Sequence, residues 1–396
     1  MGKTAPERGL PECYLNPTSH HASLTPEVAN VPTIDFGKLK KGSDEEERAT
    51  VIQEIRTACR QLGFFQIINH GIPQSVLDGA LVVASEFFEL PDSEKAKFMS
   101  KDVHKAVRYE TSFKPWRVFL KHYAHPLENW IDSWPNNPPS YRETMGEYCR
   151  EVMELSLEVT SAITESLGIG PTYLNKKMEN GMQVIAVNGY PPCPRPEMTL
   201  GAPPHSDHSC FTIMLQSSAG LEIMDIGDGK WKLIPELETA LQVHVGDHFE
   251  VLSNGLYKSV VHRATLNSER TRISVASFHS LGIDEKMKTA EELVSEEQPA
   301  KYRESSFRDF LNFLSDCGSY TGGREVEKRG AKEVFENLCK TMKGDILGDK
   351  VEKVVVSDRS LDCPCGLVSG EYGEELKDHA GKKTIEINPD NDIMDS

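Results

Sequence analysis

The sequence predicts an α+β protein in which a helical and strand-bearing N-terminal region packs on a jelly-roll core, a double-stranded β-helix. Three observations carry that prediction. Amphipathic helical patterns dominate as far as Leu167, the hydrophobic period shifts to two from Gln183, and short apolar runs then recur between Gly, Pro and Asp. Many short strands with turn signals fit an antiparallel sandwich or barrel, and of these a double-sheet jelly roll is the one that carries ligands in its mouth.

Taken in order, residues 1–30 are polar and punctuated by Pro and His, which predicts a flexible arm. Residues 31–36 read as a short strand that opens an N-terminal region running to residue 150. Residues 45–62 place Val51, Ile52, Ile55, Ala58 and Cys59 on one face, an amphipathic helix stopped at Gly63. Residues 64–68 form a buried strand ended by Asn69, His70 and Gly71, and residues 73–90 a second helix with Val76, Leu77, Ala80, Leu81, Ala84, Phe87 and Phe88 inward. Residues 101–140 have weak periodicity and many aromatics, as a loop with short strands lining a pocket would. Residues 141–167 carry the longest helical pattern, broken at Gly168, and supply a spine for the sheet. The core region, 151–320, then contributes strands at 184–187, 210–216, 221–224, 231–234, 241–245, 259–261 and 272–279, with tight hairpins at 225–229 and at Gly246-Asp247.

Within this run, residues 203–274 concentrate the chemistry. Two imidazoles and a carboxylate are the ligands of the facial triad, which binds non-haem Fe(II) on one side and leaves other positions to reactants. His205 and Asp207 stand two apart, so on an extended strand they share a face and can chelate one ion; His262 closes the set from a distant strand. Strand alternation turns His208 away.

Composition bounds the remaining choices. The 396 residues leave room for one large domain, or a domain with an appendage, and a hydrophobic fraction of 38% indicates a globular chain. A formal charge of -17 argues against nucleic acid as a partner and fits an acidic soluble monomer or a loose oligomer, of which a monomer is expected. No apolar run approaches the roughly 18 residues of a spanning helix, and the first residues lack the apolar core of a secretory signal, so a cytoplasmic location without membrane contact is expected. Gly2 invites myristoylation, but Pro6 stands where that pattern needs Ser or Thr. The nine cysteines have no framework spacing and read as reduced thiols; Cys363-Pro364-Cys365 is too tight for an ordinary zinc chelate.

Several motifs stand in a telling order: Val31-Pro-Thr-Ile-Asp35, Gly63-Phe-Phe-Gln-Ile-Ile-Asn69-His70-Gly71, Asn188-Gly-Tyr190-Pro-Pro-Cys-Pro, the His205/Asp207 pair, Gly246-Asp247, Ser253-Asn254-Gly255, His262-Arg263 and Arg272-Ile-Ser274. With these, the stretch from about 31 to 315 resembles the plant-type 2-oxoglutarate and Fe(II)-dependent dioxygenases, the family of flavanone hydroxylases, flavonol and anthocyanidin synthases and gibberellin oxidases. The resemblance implies that His205, Asp207 and His262 hold iron. Singly, each His is more often structural; the matched set, with its 57-residue return, reverses that weighting. It also implies that Arg272 anchors the distal carboxylate of 2-oxoglutarate by paired, charge-assisted hydrogen bonds, with Ser274, Tyr190 and Asn188 completing the pocket. The implied cofactor set is Fe(II), 2-oxoglutarate as co-substrate, O2, and ascorbate as reductant. The implied reaction converts 2-oxoglutarate to succinate and CO2 while a substrate C–H bond is hydroxylated, or two hydrogens are removed.

Within the family the chain looks most like flavanone 3-hydroxylase-like enzymes, which implies a small, largely apolar substrate such as a flavonoid, phenolic or terpenoid hormone. Phe113, Trp116, Phe119, Tyr123, Phe211 and Phe278 are expected to line its pocket, although any one aromatic more often simply packs. Val118 departs from the Trp-Arg-Asp frequent in such sequences, a change expected to alter a helix cap or salt bridge.

Beyond Tyr320-Thr-Gly-Gly323 the character changes. Residues 335–373, with a return at 382–389, resemble a fragment of the C-terminal domain of the ninety-kilodalton heat-shock chaperone. Residues 321–396 are therefore expected as a small α/β remnant or disordered tail, poorly packed, with a local helix at 331–346 and a strand at 351–356. Two other classes compete with the enzyme: a catalytically silent small-molecule binder on the same fold, and a chaperone-associated interaction protein acting through the tail. The triad together with Arg272 and Ser274 favours the enzyme, because a pure binder has no need of all five.

Overall fold

Between residues 182 and 280 the strands of the larger sheet alternate, sending one set of side chains to a layer of helices and the other to a second sheet. The computed structural model that shows this describes residues 21–40, 42–112, 115–318, 351–356, 365–368 and 383–387. In chain order, β1 (Glu27–Val28), β2 (Thr33–Asp35), α1 (Glu45–Gln61), β3 (Phe64–Ile68), α2 (Gln74–Glu89) and the one-turn α3 (Asp92–Lys95) lead to a hairpin of β4 (Val107–Ser112) and β5 (Arg117–His125). The short α4 (Leu127–Trp130), the long α5 (Tyr141–Leu167) and α6 (Asn175–Glu179) follow. The core is β6 (Met182–Tyr190), β7 (Ala202–His205), β8 (Phe211–Gln216), β9 (Leu221–Met224), β10 (Trp231–Leu233), β11 (Leu241–Val245), α7 (Asp247–Leu252), β12 (His262–Ala264) and β13 (Arg272–Ser280), then α8 (Phe307–Gly318).

Eight strands form the larger sheet in the order β2-β3-β11-β8-β13-β6-β5-β4, and five form the smaller, β1-β10-β9-β12-β7. Together they are the expected jelly roll. On β6, β8 and β13 the residues Ile185, Val187, Phe211, Ile213, Leu215, Ile273 and Val275 join the helix-side core. Their neighbours Ala186, Met214, Ala276 and Phe278 turn toward the smaller sheet, where Leu221 and Ile223 meet them. Because both faces are covered, β8 reads as the nearly continuous apolar run Phe-Thr-Ile-Met-Leu.

Local chemistry sets the helices. The Asp44 carboxylate accepts from the Glu46 and Glu47 amides and caps α1, whose first turn is acidic. The spine α5 buries Met145, Tyr148, Val152, Leu155, Val159 and Ile163 at helical spacing and ends at Gly168, whose φ of 90° is the left-handed conformation of a C-cap.

Four local expectations are corrected. Part of the supposed arm is held: Glu27–Val28 pairs parallel with β10, and Ala29 is buried beside Phe64 and Ile234. The strand expected at 259–261 forms at His262–Ala264 instead, where it pairs with both β7 and β9. Gly246-Asp247 is no hairpin but the start of α7. Val118 caps no helix; it lies within β5, opposite Thr111 and Gly189.

By its internal contacts the chain divides into two compact units, residues 1–311 and 312–396. In the second, β14 (Val351–Val356), β15 (Cys365–Val368) and β16 (Lys383–Ile387) form a three-stranded sheet with β16 central, parallel to β14 and antiparallel to β15. The helix expected at 331–346 lies outside the described residues.

Candidate active site

β7 and β12 bring two imidazoles face to face. His205 and His262 are direct partners in the antiparallel register, with ring centroids 4.2 Å apart. Asp207 arrives differently from the strand alternation expected. β7 ends at His205, and Asp207 sits in the turn beyond it, held because the Asp247 amide donates to the Asp207 carbonyl at 2.8 Å. Its Oδ1 lies 3.9 Å from His205 Nε2 and 3.7 Å from His262 Nε2. The potential ligand atoms of the three residues all fall within 4.8 Å of one another, the spacing one ion requires.

The surroundings prepare each ligand atom. His205 Nδ1–H donates to the Pro203 carbonyl at 2.8 Å and His262 Nδ1–H to that of Val260 at 3.1 Å, so both Nε2 lone pairs are left free. Thr212 Oγ1 donates to Asp207 Oδ2 at 2.6 Å, which leaves Oδ1 available. Burial alone would push the Asp207 carboxyl up; the nearby His262, His205 and His244 and the Thr212 hydroxyl outweigh it and hold the group below the usual carboxylate range. Burial, then the facing His262, pulls His205 down to about 4, so the imidazole is neutral and able to ligate. Two imidazole nitrogens and one carboxylate, oriented before any ion arrives, fit a divalent iron.

The triad lines a recess whose wall also includes Arg117, Asn188, Tyr190, Arg272 and Phe278. Arg272 is 2% exposed; its Nε donates to the Ser218 carbonyl at 3.0 Å, one terminal nitrogen to Gln216 Oε1 at 2.8 Å, and the other, Nη1, is buried without a partner. A buried guanidinium with one orphaned donor has the chemistry to accept a carboxylate. Its register partner Tyr190 lies under the guanidinium at 4.9 Å, and Asn188, opposite Ser274, donates to that hydroxyl at 3.4 Å.

The expected substrate aromatics separate. Phe278 lines the recess, and Phe119 and Trp116 lie half-buried along β5 and just before it. Phe211 does not reach the recess: it belongs to the set facing the helices and stacks on Phe249 and His279. Tyr123 shares the inner face but sits farther along β5, packed with Met182, Val184 and Phe307. Phe113 lies outside the described residues. His208 points away from the triad onto Phe310, ring centroids 4.4 Å apart.

Sequence reasoning missed Thr212, His244 and Arg117. Thr212 and His244 are register partners on β8 and β11, and His244 Nδ1 lies 3.7 Å from Asp207 Oδ2. The one available signal was polarity at inward positions of otherwise apolar strands.

Comparison with known proteins agrees with this geometry. Residues 180–281 match the 2OG-Fe(II) oxygenase superfamily, residues 31–140 the N-terminal region described as non-haem dioxygenase in morphine synthesis, and residues 319–396 the Hsp90 protein family. The chain is 46% identical over 317 residues to flavanone 3-dioxygenase 3 of Oryza sativa subsp. japonica, covering 79% of this chain and 94% of that one. It is 48% identical over 296 residues to the 2-oxoglutarate-dependent dioxygenase 21, chloroplastic, of the same species, covering 74% and 88%. Among solved structures it is similar to JOX2 in complex with 2OG, Fe and JA, at a TM-score of 0.70 and 30% identity over 78% of this chain and 90% of that one.

Proposed function

The chain belongs to the 2OG-Fe(II) oxygenase superfamily, and from that premise we propose that it oxidises a small, largely apolar plant metabolite of flavonoid, phenolic or terpenoid type. It is a 2-oxoglutarate- and Fe(II)-dependent dioxygenase that acts on small molecules. The observation that carries our assignment of residues is the convergence of the oriented triad and the orphaned Arg272 Nη1 on one recess.

His205 and His262 would hold iron through Nε2 and Asp207 through Oδ1. Arg272 Nη1 would take the distal carboxylate of 2-oxoglutarate, with Ser274, Tyr190 and Asn188 completing that end. Iron held here would activate dioxygen, the oxidant, for a reaction in which 2-oxoglutarate is converted to succinate and CO2, and ascorbate would keep the metal reduced. The protein's own part is to fix orientation and exclude water: Ala186, Met214, Leu221 and Phe278 present carbon to the recess. We further propose a cytoplasmic monomer that binds neither nucleic acid nor membrane, a reading supported by the formal charge of -17. Among the described residues no helix is long and apolar enough to cross a membrane.

The test is succinate release by the purified protein supplied with Fe(II), ascorbate, 2-oxoglutarate and a plant metabolite extract. Mass spectrometry should show a product heavier by one oxygen, or lighter by two hydrogens. His262→Ala should abolish both signals; succinate formation at the original rate would remove His262 from the metal site.

A further inference from the structure

The recess carries a second guanidinium that the iron and 2-oxoglutarate sites do not use. Arg117 opens β5 and lines the same cavity as the triad. Its Nε is buried with no hydrogen-bond partner, and among the described residues its guanidinium makes no ion pair. It lies over the ring of Phe119 at 5.0 Å, and Arg108, on the paired strand β4, lies over the same ring at 5.1 Å. The Arg108 Nε is likewise buried and unpartnered, and its nearest carboxylate, Glu110, is 3.6 Å from Nη1. Strand alternation puts Arg117, Phe119 and Lys121 on one face of β5, and Arg108 is the register partner of Lys121. Lys121 Nζ reaches carbonyls, those of Val103 and Lys105, rather than a carboxylate. Burial, and then the charge of Arg108, brings this ammonium down to about 8.

Arg117 at the wall of the cavity, with Arg108 and Lys121 behind it on the paired strands and only Glu110 and Asp102 near those two, is unexpected in a chain of net charge -17. Desolvating guanidinium donors without partners costs stability, and the ring they share supplies only a weak cation–π return. Arg272 is assigned to 2-oxoglutarate, and Arg117 stands one strand farther on, next to Val118, which pairs with the Gly189 that precedes Tyr190, the register partner of Arg272. We propose that the recess selects substrates bearing a carboxylate, which docks on Arg117 with Arg108 beside it while the apolar body lies toward Phe278 and the triad. The fork of Arg117 offers parallel donors to two oxygens, a geometry that a neutral hydroxyl or ester cannot match. This inference rests on the proposed function and narrows its substrate class from apolar metabolites to apolar acids.

Protein loaded with Fe(II) and saturating 2-oxoglutarate is titrated by calorimetry under nitrogen with benzoate, phenylacetate, cinnamate and 4-coumarate, each beside its methyl ester. At least one acid should bind about tenfold or more tightly than its ester, the loss expected when a charged hydrogen bond is removed. Arg117→Met, which keeps the aliphatic stem, should erase that preference, and Arg117→Lys should restore only part of it; melting temperatures verify that both variants are folded. The proposal is overturned if no acid is preferred over its ester, if Arg117→Met leaves the preference intact, or if the preferred acid displaces 2-oxoglutarate and so reads Arg272. Failure of 2-oxoglutarate itself to bind the Fe(II)-loaded protein is a different result, and it overturns the proposed function and this inference with it.

Discussion

Arg272 shows how a single buried side chain can be held in place and still keep a donor free. Two of its donors are fixed by Ser218 and Gln216, which leaves Nη1 buried, aimed and unpaired. An ammonium at this position could not hold both protein contacts and present a further donor in the same plane. Arg272→Lys is therefore expected to raise KM for 2-oxoglutarate about tenfold or more, with a smaller change in kcat, measured as succinate formed against 2-oxoglutarate concentration. An unchanged KM would take Arg272 out of the anchor. This residue and the triad were legible in the sequence because their residue types and spacing are demanded by chemistry. Phe211 and Tyr123 were misplaced because aromatic composition does not say which face of a strand a ring occupies. Phe211 shares its face with Ile213 and Leu215, and that face meets helices distant in sequence. Thr212 and His244 escaped notice for the complementary reason: their role toward Asp207 exists only once β8 and β11 are paired.

At the scale of elements, the turn from β11 into α7 explains why Asp207 sits where it does. The Gly246 amide donates to the Cys210 carbonyl at 2.9 Å, and the Asp247 amide donates to the Asp207 carbonyl at 2.8 Å. A Cβ on Gly246 would stand 2.2 Å from the Ser209 carbonyl oxygen and 2.8 Å from that of Asp207. Both obstacles are backbone, so the loop bearing Asp207 must move. Its φ of -104° is ordinary, so the constraint is close approach rather than backbone strain. Gly246→Ala should lower stability by about 1–3 kcal/mol, the usual consequence of overpacking, and weaken Fe(II) binding as well. Thermal melting and a metal titration check the two halves; loss of stability with full iron affinity would show that the loop yields without displacing Asp207. Gly followed by Asp after a strand is a turn signal either way. Here the carbonyls of residues 207–210 decide that it opens a helix, and no local pattern contains them.

At the scale of the whole molecule, buried neutral histidines tie stability to pH. Burial pushes His122, packed against the tilted ring of Trp134, and His279, stacked on Phe211, down to about 3. In the unfolded chain an imidazole titrates near 6.5, so between those values the unfolded state binds more protons. The contribution is fully present above about pH 6.5 and is lost as pH falls below it, at up to ~1.4 kcal/mol per pH unit for each histidine. Urea unfolding followed at pH 7.5 and 5.5 should show roughly 2–3 kcal/mol less stability at the lower value from these two alone; equal midpoints would mean that they become charged without unfolding. The order of elements along residues 31–280 was legible because hydrophobic period and turn residues are local. The pairing of β1 with β10 was not, since it joins residues about 200 apart. The same scale separates the oxygenase from its tail. Every residue assigned to iron, 2-oxoglutarate or substrate lies between 108 and 278, whereas the Hsp90-like match begins at 319. Phe307 and Phe310 must be kept, because both rings pack against His208, which adjoins Asp207. A chain ending at residue 320 should therefore retain Fe(II) binding and succinate formation, while one ending at residue 300 should lose iron affinity. Loss of activity in the longer truncation, with its fold intact by circular dichroism, would make the tail part of the enzyme.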